Sequence, residues 1–141
     1  MDLSPYSGVI TIEDSVIEDP FRIAYGSPSQ LVLIFDDISV PLDDYVEPKQ
    51  FHIERALSFV DKIDDRALLI HCHAGISRSS AIALAIIARC LGAGKEVEAV
   101  KTLEEINPHA RPNKSIVRMT DEILGREMKL YNTAFEMLWE T

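Results

Sequence analysis

The chain has 141 residues, of which 47% are apolar and 26% charged, and its formal net charge is −9. This length suits one domain with a single hydrophobic core. The negative charge argues against a general nucleic-acid binder and against a protein that binds anionic membranes. Two cysteines do not make a disulfide framework, so we expect reduced thiols and a cytoplasmic protein. We expect neither a signal peptide nor a membrane-spanning segment.

Three short apolar runs in the first half of the chain predict β-strands. The run at residues 9–12 is rich in β-branched side chains, which favour strands. The runs at 31–35 and 67–72 are nearly continuous, which is typical of buried strands. Apolar residues recur at helical spacing from 48 to 63, and a helix of that length between two strands suits a right-handed parallel crossover.

The second half of the chain is predicted to be helical. An alanine-rich segment at 79–91 is apolar nearly all round, which is typical of a central, covered helix. Further helices are predicted at 96–106, 114–124 and 128–138, with Gly125 as a stop. Strands followed by helices predict one domain over residues 1–141 of the α/β class. We expect three layers, with a small, mostly parallel central sheet flanked by helices and a helix-rich C-terminal half.

The segment from His71 to Ser79 carries the clearest chemical signal in the chain. It reads His-Cys-His-Ala-Gly-Ile-Ser-Arg-Ser and lies between a predicted strand and a predicted helix, where free backbone N–H groups favour an anion. Gly75 permits a tight loop, and converging N–H groups bind phosphate. Arg78 would present a planar fork to two phosphate oxygens. Cys72 would face phosphorus as a thiolate stabilised by the helix dipole and Arg78, with Ser79 donating a hydrogen bond to the sulfur.

These residues, Cys72 and Arg78 separated by five others and followed by Ser79, resemble the signature loop of the cysteine-based protein tyrosine phosphatase superfamily. The order of residues from His71 to Ser79 is similar to that in the dual-specificity branch and its bacterial relatives. The segment 35–41 is similar to the family's acid loop, and the segments 107–113 and 121–126 are similar to the end of bacterial tyrosine-phosphatase-like proteins. The resemblance implies a dual-specificity phosphatase-like fold. It also implies that the loop binds phosphate through residues His73, Ala74, Gly75, Ile76, Ser77 and Arg78.

Cleavage of a phosphate monoester also needs a general acid, because the departing oxygen leaves poorly unless it is protonated. Asp37 follows one predicted strand and Cys72 follows another, so adjacent parallel strands would bring both loops to one edge of the sheet. The family pattern favours Asp37 over Asp36, which could instead hold the loop or help to position Arg78. Asp43 and Asp44 are further candidates, and each of these carboxylates could also be a solvated loop residue.

Four other residues have more than one interpretation. His71 is expected to orient or electrostatically support Cys72, or to be a hydrogen-bonded core histidine, and both can hold. Asn113 resembles a family position that braces the signature loop, and it equally suits the N-cap of the helix at 114–124. His71 and His73 could converge on a metal, but no further ligand spacing accompanies them, so we expect no metal and no cofactor. Cys90, about 20 Å along the helix, is expected to be a core residue rather than a resolving thiol.

The sequence therefore predicts a cysteine-dependent phosphate monoester hydrolase that acts through a thiophosphoryl-enzyme intermediate. The resemblance implies a protein tyrosine or dual-specificity phosphatase. Expected partners are a phosphorylated protein or a small phosphate monoester, with phosphate, vanadate and sulfate as inhibitory oxyanions, and neither nucleic acid nor membrane. A non-catalytic phosphate-binding module stays open, although Asp37 argues against it. A sulfurtransferase would need neither Ser79 nor an acid loop, and an arsenate reductase would need a closer thiol than Cys90.

Overall fold

A computed structural model describes residues 3, 5–17, 20–23, 28–63, 67–72 and 76–139. The strands are β1 (Gly8–Glu13), β2 (Ser29–Ile34) and β3 (Leu68–His71). The helices are α1 (Gln50–Asp61), α2 (Arg78–Leu91), α3 (Glu96–Ile106), α4 (Lys114–Leu124) and α5 (Lys129–Ala134), and a π-helical turn, Phe135–Trp139, continues α5. Every predicted strand and helix is present, although the last helix divides into α5 and the π turn. Within the described ranges, no helix is both long enough and apolar enough to cross a membrane.

The sheet is parallel throughout, with the strand order β2-β1-β3. The strands before Asp37 and Cys72 are not adjacent, because β1 lies between them, and Thr11 of β1 faces Val32 on one side and His71 on the other. All six residues of β1 are buried, which suits a central strand, whereas β2 and β3 are partly exposed edges. Because the strands are parallel, the ends of all three still meet at one edge of the sheet.

The three-layer α/β fold is confirmed, with most of its helices in the C-terminal half. One face of the sheet, carrying Ile10 and Leu33, packs with the helices in a continuous apolar core. In the described residues, the segment 20–23 contacts the other face. The ring of Phe21 meets the ring of His71 edge-on at 5.3 Å, and Arg22 pairs with Glu13 of β1.

Two buried charged residues close the C-terminal helices onto the rest of the fold. The Asp121 carboxylate is 3% exposed and accepts hydrogen bonds from the backbone N–H groups of Met128, Leu130 and Tyr131 at 2.8, 2.8 and 3.0 Å. It therefore caps the start of α5, where unpaired N–H groups need acceptors. Arg126 donates to Glu96 at 2.6 Å and to the Ala88 carbonyl at 2.7 Å, which ties this turn to α2 and α3.

Replacing Asp121 with alanine is expected to lower the free energy of unfolding by about 2 to 3 kcal/mol, because three N–H groups lose a charged acceptor. Urea denaturation monitored by circular dichroism measures the change. Glu105→Ala, which removes an exposed carboxylate from α3, is the matched control and should change stability by less than about 0.5 kcal/mol. Equal losses in the two variants would contradict this role for Asp121.

Candidate active site

The residues expected to carry chemistry come from the ends of the three strands. Cys72 directly follows β3, Asp14 directly follows β1, and the acid-loop residues Asp36 and Asp37 follow β2. A cavity of about 550 Å³ opens at this edge of the sheet. Its lining is mostly acidic and consists of Asp14, Ser15, Val16, Asp36, Asp37, Ile38, Asp43, Asp44 and Tyr45.

The thiol of Cys72 lies beside the hydroxyl of Ser79 in the first turn of α2. Their Sγ and Oγ atoms are 3.3 Å apart, so the hydroxyl can donate to the sulfur once the thiol is ionised. Ser79 is 5% exposed, which shields this contact from water. Of the expected phosphate-binding residues, His73, Ala74 and Gly75 lie outside the described residues, whereas Ile76, Ser77 and Arg78 are described.

The Arg78 side chain is 5% exposed, so its charge needs a partner. Its Nη1 donates to Asp14 Oδ1 at 2.7 Å and to the Phe35 carbonyl oxygen at 2.9 Å. Among the described residues, the other two guanidinium nitrogens have no hydrogen-bond partner. Sequence reasoning missed Asp14, although its place at the carboxyl end of a strand is a signal that it shares with Asp36.

The Asp37 carboxylate is tied to the loop that holds Cys72. Its Oδ1 accepts hydrogen bonds from Ser77 Oγ at 2.8 Å and from Asn113 Nδ2 at 3.0 Å. Both donors use the same oxygen, so Oδ2 has no partner within the part of the chain that the structure describes. Asp37 is exposed, which leaves this oxygen open to a substrate.

Asp36 has a different environment from its neighbour. It is 7% exposed, and its carboxylate accepts from the N–H and hydroxyl of Ser15, at 3.0 and 2.7 Å, and from the N–H of Val46 at 2.7 Å. Burial raises the pKa of this carboxyl, but the three hydrogen bonds and the positive charge of Arg78 outweigh burial and leave the pKa below its usual value. Asp36 therefore holds the acid loop in place.

Asn113 makes contacts that fit both of its interpretations. Its Oδ1 accepts from the N–H of Ile116 at 3.1 Å and caps α4. Its Nδ2 donates to Asp37 and, at 3.0 Å, to the carbonyl of Ile38. Its own backbone N–H donates to the carbonyl of Ser77 at 3.1 Å. The side chain thus braces the acid loop, and the main chain braces the signature loop.

The remaining candidates lie farther from these contacts. Asp43 and Asp44 line the cavity and are exposed. Cys90 is also exposed, so the expectation of a core residue was wrong, since α2 is buried only as far as Ala88. Among the described residues, no three potential metal ligands from His, Cys, Asp and Glu come together.

Comparisons with known proteins agree on one group of enzymes. A probable dual specificity protein phosphatase of Dictyostelium discoideum is 25% identical over 126 residues, which cover 86% of this chain and 49% of that protein. Dual specificity protein phosphatase 12 of Rattus norvegicus is 38% identical over 64 residues, 44% of this chain and 19% of that protein. The chain thus spans about half or less of the length of these relatives. No protein-family model matches it.

Solved structures give the same result for the fold. The human tyrosine phosphatase-like serine/threonine/tyrosine-interacting protein superposes with a TM-score of 0.67 at 23% identity, over 89% of this chain and 82% of that one. A mouse putative dual specificity phosphatase, complexed with zinc tungstate, superposes with a TM-score of 0.62 at 18% identity, over 93% of this chain and 77% of that one. These superpositions show that the fold is that of dual-specificity phosphatases.

Replacing Asp36 with asparagine is expected to destabilise the protein at neutral pH by about 1 to 3 kcal/mol, because an amide cannot accept all three hydrogen bonds. Since folding lowers the pKa of Asp36, the unfolded chain binds the proton more readily. The stability that Asp36 contributes is therefore complete above its unfolded pKa of about 3.9 and is lost as the pH falls through the folded pKa.

Urea unfolding of the wild type and Asp36→Asn at about pH 7 and pH 3 tests the direction of this pH dependence. The difference between their free energies of unfolding should be smaller at about pH 3. Asp43→Asn changes an exposed carboxylate of the same cavity. Its free energy of unfolding should equal that of the wild type at both pH values. A difference between Asp36→Asn and wild type that does not change with pH would contradict this account of Asp36.

Proposed function

We propose that this chain, which is similar in sequence and fold to dual-specificity protein phosphatases, is a cysteine-dependent phosphate monoester hydrolase that acts on phosphotyrosine or on phosphoserine and phosphothreonine. The observation that carries the proposal is the 2.8 Å hydrogen bond between Ser77 and Asp37, which holds a carboxylate beside the loop of Cys72 and Arg78. A site that only bound phosphate would gain nothing from this carboxylate, because an ionised carboxylate repels a phosphate dianion. A protonated carboxyl can instead deliver a proton to a leaving group.

In the first step, the Cys72 thiolate attacks phosphorus in line with the departing oxygen. A sulfur–phosphorus bond forms while the phosphorus–oxygen bond to the leaving group breaks. Asp37 gives its proton to that oxygen, which leaves as an alcohol or phenol. The two guanidinium nitrogens of Arg78 that have no partner in the described residues hold the equatorial phosphate oxygens, together with the backbone N–H groups of the loop.

In the second step, a water molecule attacks the phosphocysteine. Asp37, now ionised, takes a proton from this water as the new phosphorus–oxygen bond forms and the sulfur–phosphorus bond breaks. Ser79, whose hydroxyl lies 3.3 Å from the sulfur, donates to the returning thiolate. Inorganic phosphate leaves, and the ionised Cys72 and protonated Asp37 are restored. No metal or other cofactor takes part in this scheme.

The surroundings of the two neighbouring aspartates support Asp37 as the acid. Asp36 accepts three hydrogen bonds at 7% exposure, and its lowered pKa makes the carboxyl a poor proton donor. Asp37 is exposed and keeps one carboxylate oxygen without a partner among the described residues. Asp36 therefore holds the acid loop in place, and Asp37 transfers the proton.

We infer that the partners of this site are phosphorylated proteins or small phosphate monoesters, and that phosphate, vanadate and sulfate compete for the same loop. The tungstate bound to the mouse relative is a tetrahedral oxyanion of the same kind. The net charge of −9 supports the exclusion of nucleic acid and anionic membranes as partners. A reduced, cytoplasmic setting suits a nucleophile that works as a thiolate.

Hydrolysis of p-nitrophenyl phosphate in reductant and EDTA should be lost in Cys72→Ser. It should fall by about 10² to 10⁴-fold in Asp37→Asn, which keeps the side-chain size but removes the acid. Asp43→Asn, an exposed carboxylate lining the same cavity, is the matched control and should keep wild-type turnover. A folded wild type that binds vanadate but shows no turnover would favour the phosphate-binding module.

The pH dependence of kcat/KM should be bell-shaped with a mildly acidic optimum, because Cys72 must be ionised while Asp37 is protonated. In Asp37→Asn the falling limb at higher pH should disappear, since the group whose ionisation causes it is gone. Initial rates measured from about pH 4 to 8 give both profiles. A flat wild-type profile, or a falling limb that survives in the variant, would count against Asp37 as the acid.

A further inference from the structure

A chain of hydrogen bonds runs across all three strands to His71, the residue before the proposed nucleophile. Gln30 Nε2 of β2 lies 2.8 Å from Thr11 Oγ1 of β1. Thr11 Oγ1 in turn lies 2.8 Å from His71 Nε2 of β3. Thr11 is directly opposite His71 in the strand register. None of these contacts was expected from the sequence.

The orientation of the Gln30 amide is fixed at both ends. Its Oε1 accepts from the backbone N–H of Ile23 at 2.9 Å, and a backbone N–H can only donate. Its Nε2 donates to the carbonyl oxygen of Phe21 at 3.0 Å, and a carbonyl can only accept. Nε2 is therefore also the donor in the contact with Thr11, and the Thr11 oxygen is the acceptor.

The direction of the Gln30–Thr11 hydrogen bond determines which atom accepts the proton of the Thr11 hydroxyl. Thr11 is 2% exposed, so its hydroxyl proton needs an acceptor within the protein. Among the described residues, the remaining partner of this hydroxyl is His71 Nε2. Thr11 thus donates to Nε2, which must carry no proton, and the ring proton of the neutral imidazole is on Nδ1. The opposite tautomer would leave the hydroxyl proton buried without an acceptor.

We propose that Thr11 and Gln30 are positioning residues that hold His71 as the neutral Nδ1–H tautomer and fix the end of β3 from which Cys72 extends. The proposal rests on the proposed function for its kinetic consequence, though not for the hydrogen-bond directions. A fixed His71 ring fixes the end of β3 and with it the neighbouring Cys72. The position of Cys72 matters because misplacement of a reacting group by about 1 Å costs on the order of 10²-fold in rate. The phosphate contacts proposed for Arg78 involve none of the hydrogen bonds among Gln30, Thr11 and His71. Oxyanion binding should therefore not depend on these hydrogen bonds.

The charges around His71 are consistent with a neutral ring. Burial lowers the pKa of His71 from its usual value, and the negative charge of Glu13 opposes the effect. Glu13 is itself paired with Arg22, and Phe21 covers the ring edge-on. Cys72 is the neighbouring titratable group on the same segment.

The test is an NMR measurement of the histidine ring nitrogens in ¹⁵N-labelled protein near neutral pH, with the His71 signals assigned by their loss in His71→Gln. The wild type and Thr11→Ser, which keeps the hydroxyl, should carry the proton on Nδ1. Gln30→Glu should move it to Nε2, because a carboxylate accepts the Thr11 proton and leaves the Thr11 oxygen to accept from Nε2–H. Thr11→Val should give a mixture of tautomers.

Kinetics supply the second arm of the test. Thr11→Val should lower kcat for p-nitrophenyl phosphate by about tenfold with the inhibition constant of phosphate unchanged, and Thr11→Ser should restore the rate. Thr102→Val, which removes a hydroxyl bonded to its own helix, is the matched control and should not differ from the wild type. Thermal unfolding of each variant identifies any that fails to fold.

Two results would overturn the proposal. One is a wild-type ring protonated on Nε2, and the other is an unchanged tautomer in Gln30→Glu together with an unchanged kcat in Thr11→Val. The proposed function can fail separately. A wild type without turnover but with the Nδ1–H signal would contradict the phosphatase while supporting the hydrogen-bond assignment.

Discussion

The buried guanidinium of Arg78 imposes the constraint on which this site depends, since a charge at 5% exposure must be neutralised and hydrogen-bonded. The partners come from different strands: Asp14 follows β1, Phe35 follows β2, and Arg78 itself begins α2 after β3. One side chain therefore ties together the ends of the whole sheet. Among the described residues it uses only Nη1 for this purpose, so under the proposed function the same group would organise the fold and bind the substrate.

A second set of contacts ties the site to the helical half of the chain. Asn113 caps α4 and at the same time donates to Asp37 and to the acid-loop backbone. Ser77 joins the acid loop to the signature loop. The proposed acid thus stands on one segment, and the proposed nucleophile and Arg78 stand on another, and side-chain hydrogen bonds from Ser77 and Asn113 hold the acid in place. Such support matters because a proton donor must lie within hydrogen-bond reach of the leaving oxygen.

Much of this arrangement could be predicted from the sequence, because the signals are local. The bounds of α3 and α4 follow from apolar spacing and the stop at Gly125, and the signature from Cys72 to Ser79 lies within eight consecutive residues. The strand order could not be predicted, since the insertion of β1 between β2 and β3 depends on long-range packing. Asp14 has no motif of its own and gains a role only when Arg78 packs against it. Thr11 looks like an ordinary strand residue until the register places it opposite His71, and Gln30 gains its role only through the side-chain contact with Thr11.

Under the proposed function, Cys72 carries the phosphoryl group between the two steps, and an acid-quenched reaction would detect it there. Protein mixed with excess phosphate monoester is quenched within milliseconds, digested and analysed by mass spectrometry. We expect one phosphoryl group on the peptide that contains Cys72, and more of it in Asp37→Asn, because loss of the base slows hydrolysis of the intermediate. Turnover with no phosphorylated Cys72 peptide at any quench time would exclude Cys72 as the nucleophile, as would a phosphoryl group on a different residue.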